Sequence, residues 1–278
     1  MSEVTISAKD VKALRDQTGA GMMDCKKALV EAGGDFEKAI EILRKKGQKL
    51  SAKRADRHAK EGVVIAKVSE DGTKGVVIRL SCETDFVAKN DEFVDMTEKI
   101  ADLALATQPE TKDELLSKDF DGISLGEKIT EQIGVIGEKI ELADYQKLEA
   151  PFVTSYIHMG NKAGVIVGLT TKGDAVKEAG KDVAMQVAAM KPIAVSKDGV
   201  SQTVIDKEIE IGMEIARKEG KPEAMLERIA TGKLNKFFKE NTLLNQAFVK
   251  NNKQSVGDYL KSIDPDLTVT DFKHIRLG

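Results

Sequence analysis

The sequence predicts an α+β protein built from an N-terminal three-helix module, two related half-domains that each pair an antiparallel sheet with helices, and a projecting antiparallel helical hairpin. Three observations predict it. Before residue 50, apolar residues recur at three- and four-residue spacing in short segments punctuated by glycine. Two β-rich hairpins follow in succession, each trailed by a helical pattern. Two longer helical stripes then run between Ser201 and Glu240 with a proline restart between them. At 278 residues the chain is long for one core, which bounds it to two to four modules of unequal size.

The three-helix module spans 1–50. Ser7-Ala-Lys-Asp10 reads as a capping box, and Val11 and Leu14 then share a face up to Gly19. Gly19-Ala-Gly21 turns the chain into a second helix whose apolar side is Met22, Met23, Leu29 and Val30, ending at Gly33-Gly34. Asp35 caps a third helix carrying Phe36, Ala39, Ile40 and Leu43 before Gly47. The stretch Lys45 to Lys60 is basic and lacks aromatics, and 51–60 reads as a solvated linker. A nucleic-acid arm is the alternative, although no aromatic is present on which a base could stack.

The half-domains follow at 61–149 and at 150–200 with 241–278. Glu61-Gly-Val-Val-Ile-Ala-Lys-Val68 and Gly75-Val-Val-Ile-Arg-Leu80 are strands joined through Asp71-Gly72, a hairpin signal. A helix through Phe93, Met96, Ile100 and Leu103 comes next. Ile129, Ile133, Ile136 and Ile140 mark another, weakened by Gly134 and Gly137. The plan recurs with Phe152–Ile157, a turn through Met159–Lys162, Gly164–Leu169 and a helix through Val183, Val187 and Met190. Gly75-Val-Val-Ile and Gly164-Val-Ile-Val occupy matching places. The hairpin, 201–240, places Val204, Ile209 and Met213 on one stripe, breaks at Lys221-Pro222, and returns with Leu226, Ala230, Leu234 and Phe237. Such a hairpin has too little facing core to be a domain, so a docking arm and a homodimerisation element both stay open. A short helix near Val256–Ser262 and a strand over Leu267–Phe272 complete the chain.

Composition excludes several function classes. Lys plus Arg (43) and Asp plus Glu (46) cancel to a net charge of −3, which argues against a chain-wide grip on nucleic acid or anionic lipid. Two distant cysteines, Cys25 and Cys82, suggest neither a disulfide framework nor a zinc site. No run approaches the ~20 apolar residues that span a bilayer, and the first residues lack the core of a signal peptide, so a cytoplasmic protein is expected. The phosphate-binding loop GxxxxGK[ST], the GxSxG elbow and the HExxH pair are all absent, and His58, His158 and His274 are widely separated. The pair Glu83 and Asp85 reads more simply as a charged turn than as an acid–base couple. No enzyme, metal or cofactor is expected.

Two stretches resist an architectural explanation. Met22 and Met23 are adjacent at a helix start and cannot both face one small core; methionine also suits a binding surface. Phe86 stands in a polar turn just past a strand, where it either staples onto Phe93 or faces outward. Thr18-Gly-Ala-Gly-Met-Met-Asp-Cys-Lys-Lys-Ala-Leu29 and Cys82-Glu-Thr-Asp-Phe-Val-Ala-Lys89 closely resemble the two signature motifs of the translation elongation factor Ts family. The resemblance extends in order through most of the chain, as far as Ser255-Val-Gly-Asp-Tyr-Leu260. It implies a ubiquitin-associated-like N-terminal module and guanine-nucleotide exchange on the GTPase elongation factor Tu.

Carried over residue by residue, the resemblance puts Thr84, Asp85, Phe86 and Val87 on the loop pushed into the GTPase domain, with Phe86 entering an apolar pocket and Asp85 at its rim. Lys12, Arg15, Met22 and Met23 would touch a helix beside the guanine site. Ile136 and His158 match positions that lie against the partner. The chain departs from the family in three places. Leu142-Ala-Asp-Tyr-Gln146 stands where an Arg-Arg pair is common, Met159 follows His158 where others have glycine, and the sequence stops at Arg276-Leu-Gly278 where some relatives continue into a further helix, so that contact is not expected here. No direct nucleic-acid contact and no membrane contact are expected.

Overall fold

The computed structural model describes residues 6–278; Met1–Thr5, at the start of the module read over 1–50, lie outside the described residues. Two compact units divide the chain. The first runs up to Val64, resumes over Ile78–Tyr145 and includes Leu277–Gly278; the second holds Ile65–Val77 and Gln146–Arg276.

The first unit opens with α1 (Ala8–Thr18), α2 (Met22–Glu31) and α3 (Phe36–Arg54). The Ser7 hydroxyl accepts from the Asp10 N–H while the Asp10 carboxylate accepts from the Ser7 N–H, satisfying orphan donors at the start of α1. Gly19, at φ 70°, closes it in a left-handed turn. Val11, Leu14, Cys25, Ala28, Leu29 and Ala39 form the small core. Val30, read as part of the apolar side of α2, points to solvent instead. The core face of this ten-residue helix is the arc of Cys25, Ala28 and Leu29, and Val30 lies one helical step away from it.

The third helix does not end before Gly47 as expected but continues to Arg54. The glycine is there for packing. A Cβ on Gly47 would stand 2.9 Å from the carbonyl oxygen of Thr130, and one on Gly134 would stand 3.0 Å from the Gly47 Cα. These two glycines let α3 and α7 (Leu125–Ile136) cross with backbones nearly touching.

Between them come β1 (Glu61–Val68), β2 (Lys74–Cys82), the single turn α4 (Asp85–Ala88), α5 (Asp91–Thr107), α6 (Lys112–Ser117) and the short pair β3 (Asp119–Phe120) and β4 (Ile123–Ser124). After α7 stops at Gly137, φ 81°, the chain forms β5 (Glu141–Glu149). Ile140 is therefore not the last member of the helical stripe but a buried residue leading into β5. The strand itself escaped the sequence reading because Leu142 and Leu148 are its buried apolar residues, with polar residues between. One sheet has the order β1-β2-β5.

The second unit carries β6 (Phe152–His158), β7 (Ala163–Leu169), α8 (Asp174–Met190), α9 (Gln202–Lys218), α10 (Glu223–Asn241), β8 (Ala247–Phe248), β9 (Asn251–Ser255), α11 (Val256–Ile263) and β10 (Val269–Arg276). Its sheet, β10-β7-β6, is antiparallel, with Phe152 opposite Leu169 and Arg276 opposite Ala163. Val165, Val167 and Leu169 pack on Val176, Val183 and Val187 of α8. Gly75-Val-Val-Ile and Gly164-Val-Ile-Val occupy comparable strands: β2 and β7 are the central strands of their sheets and almost wholly buried. In the hairpin, Gly212 of α9 brings its backbone against Ala230 of α10, where a Cβ would lie 3.1 Å from the Ala230 Cα. His274, read as a strand-surface residue, is half-buried with Nε2 unpartnered; burial, then the charges of Arg276 and Lys191, holds its pKa below the ordinary value. Among the described residues no helix is long and apolar enough to cross a membrane.

Candidate functional site

Strand β2 ends at Cys82, and the next three residues turn the chain into α4. Thr84 is the N-cap: its extended backbone (φ −121°, ψ 154°) points the hydroxyl at the Val87 N–H. Its carbonyl accepts from the Ala88 N–H at 3.3 Å, and the Lys89 N–H reaches the Asp85 carbonyl at 3.0 Å. This one-turn helix displays Phe86 with 83% of its surface in solvent, the most exposed large apolar side chain of the described residues. The staple onto Phe93 does not form; Phe93 is buried in α5.

An isolated turn of helix is unstable in water, and two carboxylates hold this one in place. Glu138 accepts the backbone N–H of Glu83 and of Thr84, both at 3.0 Å, on Oε2, and the Thr84 hydroxyl at 2.6 Å on Oε1. Glu83 in turn accepts from the Lys139 N–H at 2.7 Å and pairs with Arg54 and Arg57, each at 3.0 Å. Lys139 returns its ammonium to the carbonyls of Ala55 and Arg57. Sequence reasoning missed this network. Its parts were in view as an unexplained charged turn, a basic linker and an Ile-Gly-Glu-Lys string, but a residue separation of 55 between Glu83 and Glu138 carries no local signal.

Burial pushes the Glu83 carboxyl up, but the Lys139 N–H and the two guanidiniums outweigh it and leave the pKa below its ordinary 4.5. A depressed pKa means the folded state prefers the ionised form, so the stabilisation is complete above 4.5 and is lost as pH falls through the lowered value. The thermal midpoint of the chain is expected to fall more steeply in acid than that of Glu83→Gln, with the two curves converging at low pH; calorimetry across pH 3 to 7 checks it. Cys82 lies under the turn with its thiol against the Thr84 carbonyl at 3.2 Å. Burial, then the charges of Glu138 and Glu61, raise its pKa to about 12, so it stays an unreactive thiol.

The other residues singled out in the sequence fall as follows. Asp85 is already engaged by Lys89 at 2.6 Å on its own turn, a pairing that holds its pKa below the ordinary value. Val87 and Ile136 come together: with Phe93, Met96 and Val135 they line an open groove of about 400 Å³ rimmed by Glu92 and Asp95. A Cβ placed on Gly19, in the turn between α1 and α2, would lie 3.8 Å from Val135 Cγ1. Met22 and Met23 follow that turn, 44% and 61% exposed. Lys12 and Arg15 project from α1 one turn apart, both exposed. His158, in the second unit, is exposed at the end of β6 with the Tyr156 hydroxyl 3.2 Å from its Nδ1.

An apolar ring on a braced turn, a groove beside it and exposed methionines are features for burial against another macromolecule. The family model described as "Elongation factor TS" matches residues 83–278. Over nearly the whole length of both chains, the protein is 58% identical across 273 residues to "Elongation factor Ts" of Christiangramia forsetii, covering 98% of this chain and 99% of the other. It is 56% identical to the protein of that name from Flavobacterium psychrophilum, with 99% of each covered, and 54% identical to that of Amoebophilus asiaticus, with 99% and 100% covered. The chain belongs to the elongation factor Ts family, translation elongation factors with a nucleotide-exchange role.

Proposed function

We propose that the chain is the guanine-nucleotide exchange factor of elongation factor Tu: it binds the GDP form, displaces Mg²⁺, loosens the phosphate loop to release GDP, and leaves when GTP binds. The observation that carries this reading is Phe86, an aromatic ring held out in solvent on a braced turn, together with the family membership. A ligand weakens the partner's hold on GDP only if it binds better to a conformation in which the nucleotide site is distorted. Phe86 inserted as a wedge supplies that preference, with Val87 and Ile136 extending the apolar contact and Asp85 exchanging Lys89 for a group on the partner's rim. Lys12, Arg15, Met22 and Met23 make a second contact, and His158 a third. No bond is formed or broken, and the reciprocity of linkage makes each nucleotide weaken the chain's hold on the GTPase by the same factor as the chain weakens the hold on that nucleotide.

In this reading 1–50 is a ubiquitin-associated-like docking module, 51–60 its tether, 61–149 and 150–200 with 241–278 the half-domains, and 201–240 a hairpin arm that flanks the partner or pairs two copies, in a cytoplasmic protein that touches neither nucleic acid nor membrane. Stopped-flow release of a fluorescent GDP from elongation factor Tu tests it: release accelerates with added chain and saturates, whereas a rate independent of the chain would refute it. Light scattering separates the roles of the hairpin; a mass near 30.2 kDa without partner is expected if it only flanks the GTPase, and twice that if it pairs copies.

A further inference from the structure

We infer that Glu138 is a positioning residue for exchange, which fixes the direction in which Phe86 is presented by acting through Thr84; the inference rests on the proposed exchange function. Three donors converge on this one carboxylate from two consecutive residues: the N–H of Glu83, the N–H of Thr84 and the Thr84 hydroxyl, at 3.0, 3.0 and 2.6 Å. Those residues join the end of β2 to the first residue of α4.

The hydroxyl bond has a directional consequence. A threonine hydroxyl carries one proton and two acceptor lone pairs. By taking the proton, Glu138 Oε1 turns a lone pair toward the Val87 N–H, 3.5 Å away, which is the capping contact of α4. A glutamine at 138 cannot do the same for all three donors, because one oxygen is replaced by an amide that itself donates. The chain thus runs from Glu138 to the Thr84 hydroxyl, to the cap of a single turn, to Phe86. Glu83 bolts the other side to Arg54 at the end of α3 and to the Lys139 backbone. A ring fixed before encounter needs no ordering at the interface, which lowers the concentration of factor required without changing what the inserted ring does.

The chain contains no tryptophan, so Phe86→Trp installs a single reporter on the turn. In the free protein, time-resolved anisotropy of this tryptophan is expected to show slow tumbling, and a large fast component once Glu138→Gln is added. In exchange assays with native Phe86, Glu138→Gln is expected to raise the half-saturating concentration by on the order of tenfold while the maximal release rate stays within about threefold, as a loss of preorganisation requires. In the free protein Thr84→Val is expected to release the same fast anisotropy component, and the double variant to add little to either, since both cut one chain. Unchanged anisotropy together with an unchanged half-saturating concentration in Glu138→Gln overturns the inference, and so does full additivity with Thr84→Val. If Glu138→Gln destabilises the fold, Thr84→Val, which leaves the carboxylate in place, carries the same anisotropy test. The anisotropy arm needs no GTPase, so a mobile turn with no exchange by any variant, native included, would fault the exchange function rather than the clamp.

Discussion

Phe86→Ala is expected to lower the maximal rate at which saturating chain releases GDP from elongation factor Tu by about ten- to a hundredfold, with no loss of folded stability. The magnitude follows from burial: a phenylalanine side chain moved from water to an apolar pocket contributes roughly 1.5–3 kcal/mol, and each 1.4 kcal/mol is about tenfold. The effect belongs on the maximal rate because a wedge acts on the distorted state of the partner, and an interaction made only in that state is lost from the rate and not from ground-state binding. Stability is untouched because the ring is 83% exposed and so contributes almost no packing in the free protein. Stopped-flow traces with fluorescent GDP, paired with thermal unfolding of the variant, check both halves. The contrast with Glu138→Gln is the diagnostic feature: one change removes the wedge and alters the rate, the other frees it and alters the concentration dependence.

Gly47→Ala is expected to destabilise the first unit by about 1–3 kcal/mol, the usual cost of forcing a methyl into a packed contact. Helix propensity alone predicts the opposite sign, since alanine in place of glycine in a helix interior favours the helix by about 1 kcal/mol. The contact decides against propensity because the new Cβ meets backbone: the Thr130 carbonyl oxygen at 2.9 Å and the Gly134 Cα at 3.7 Å. Neither can swing aside as a side chain tip does. Gly134→Ala meets the Gly47 Cα at 3.0 Å and should behave alike. Differential scanning calorimetry measures the shift, and a raised midpoint in either variant would show that α3 and α7 yield more readily than their spacing implies. Because α7 ends at Ile136, a forced separation also moves one wall of the groove shared with Val87.

Much of the architecture was legible from local pattern. The capping box at Ser7, the Asp35 cap, the strands around Asp71-Gly72 and the stripes from Ser201 to Glu240 each rest on contacts within a few residues of one another, and each appears in the structure. Elements whose reason lies far away in sequence were not legible. The continuation of α3 past Gly47 depends on Gly134, and the strand β5 is held by a sheet whose neighbours lie some sixty residues earlier. Local reading took Gly47 as a stop and Ile140 as part of a helix, since glycine is a helix breaker only when nothing needs to come close to it.

Local pattern was enough for the α+β class and, through two motifs, for the family. It also identified Phe86 as an aromatic out of place. Whether that ring faces water or folds back on Phe93, and what keeps its turn from fraying, was decided only by tertiary structure. The physical reason is that a four-residue helix has no intrinsic stability to encode. Its order comes from the carboxylates of Glu83 and Glu138, which together join Arg54 of α3, the residues after β2 and the segment that follows α7, and such a junction exists only once the chain has folded.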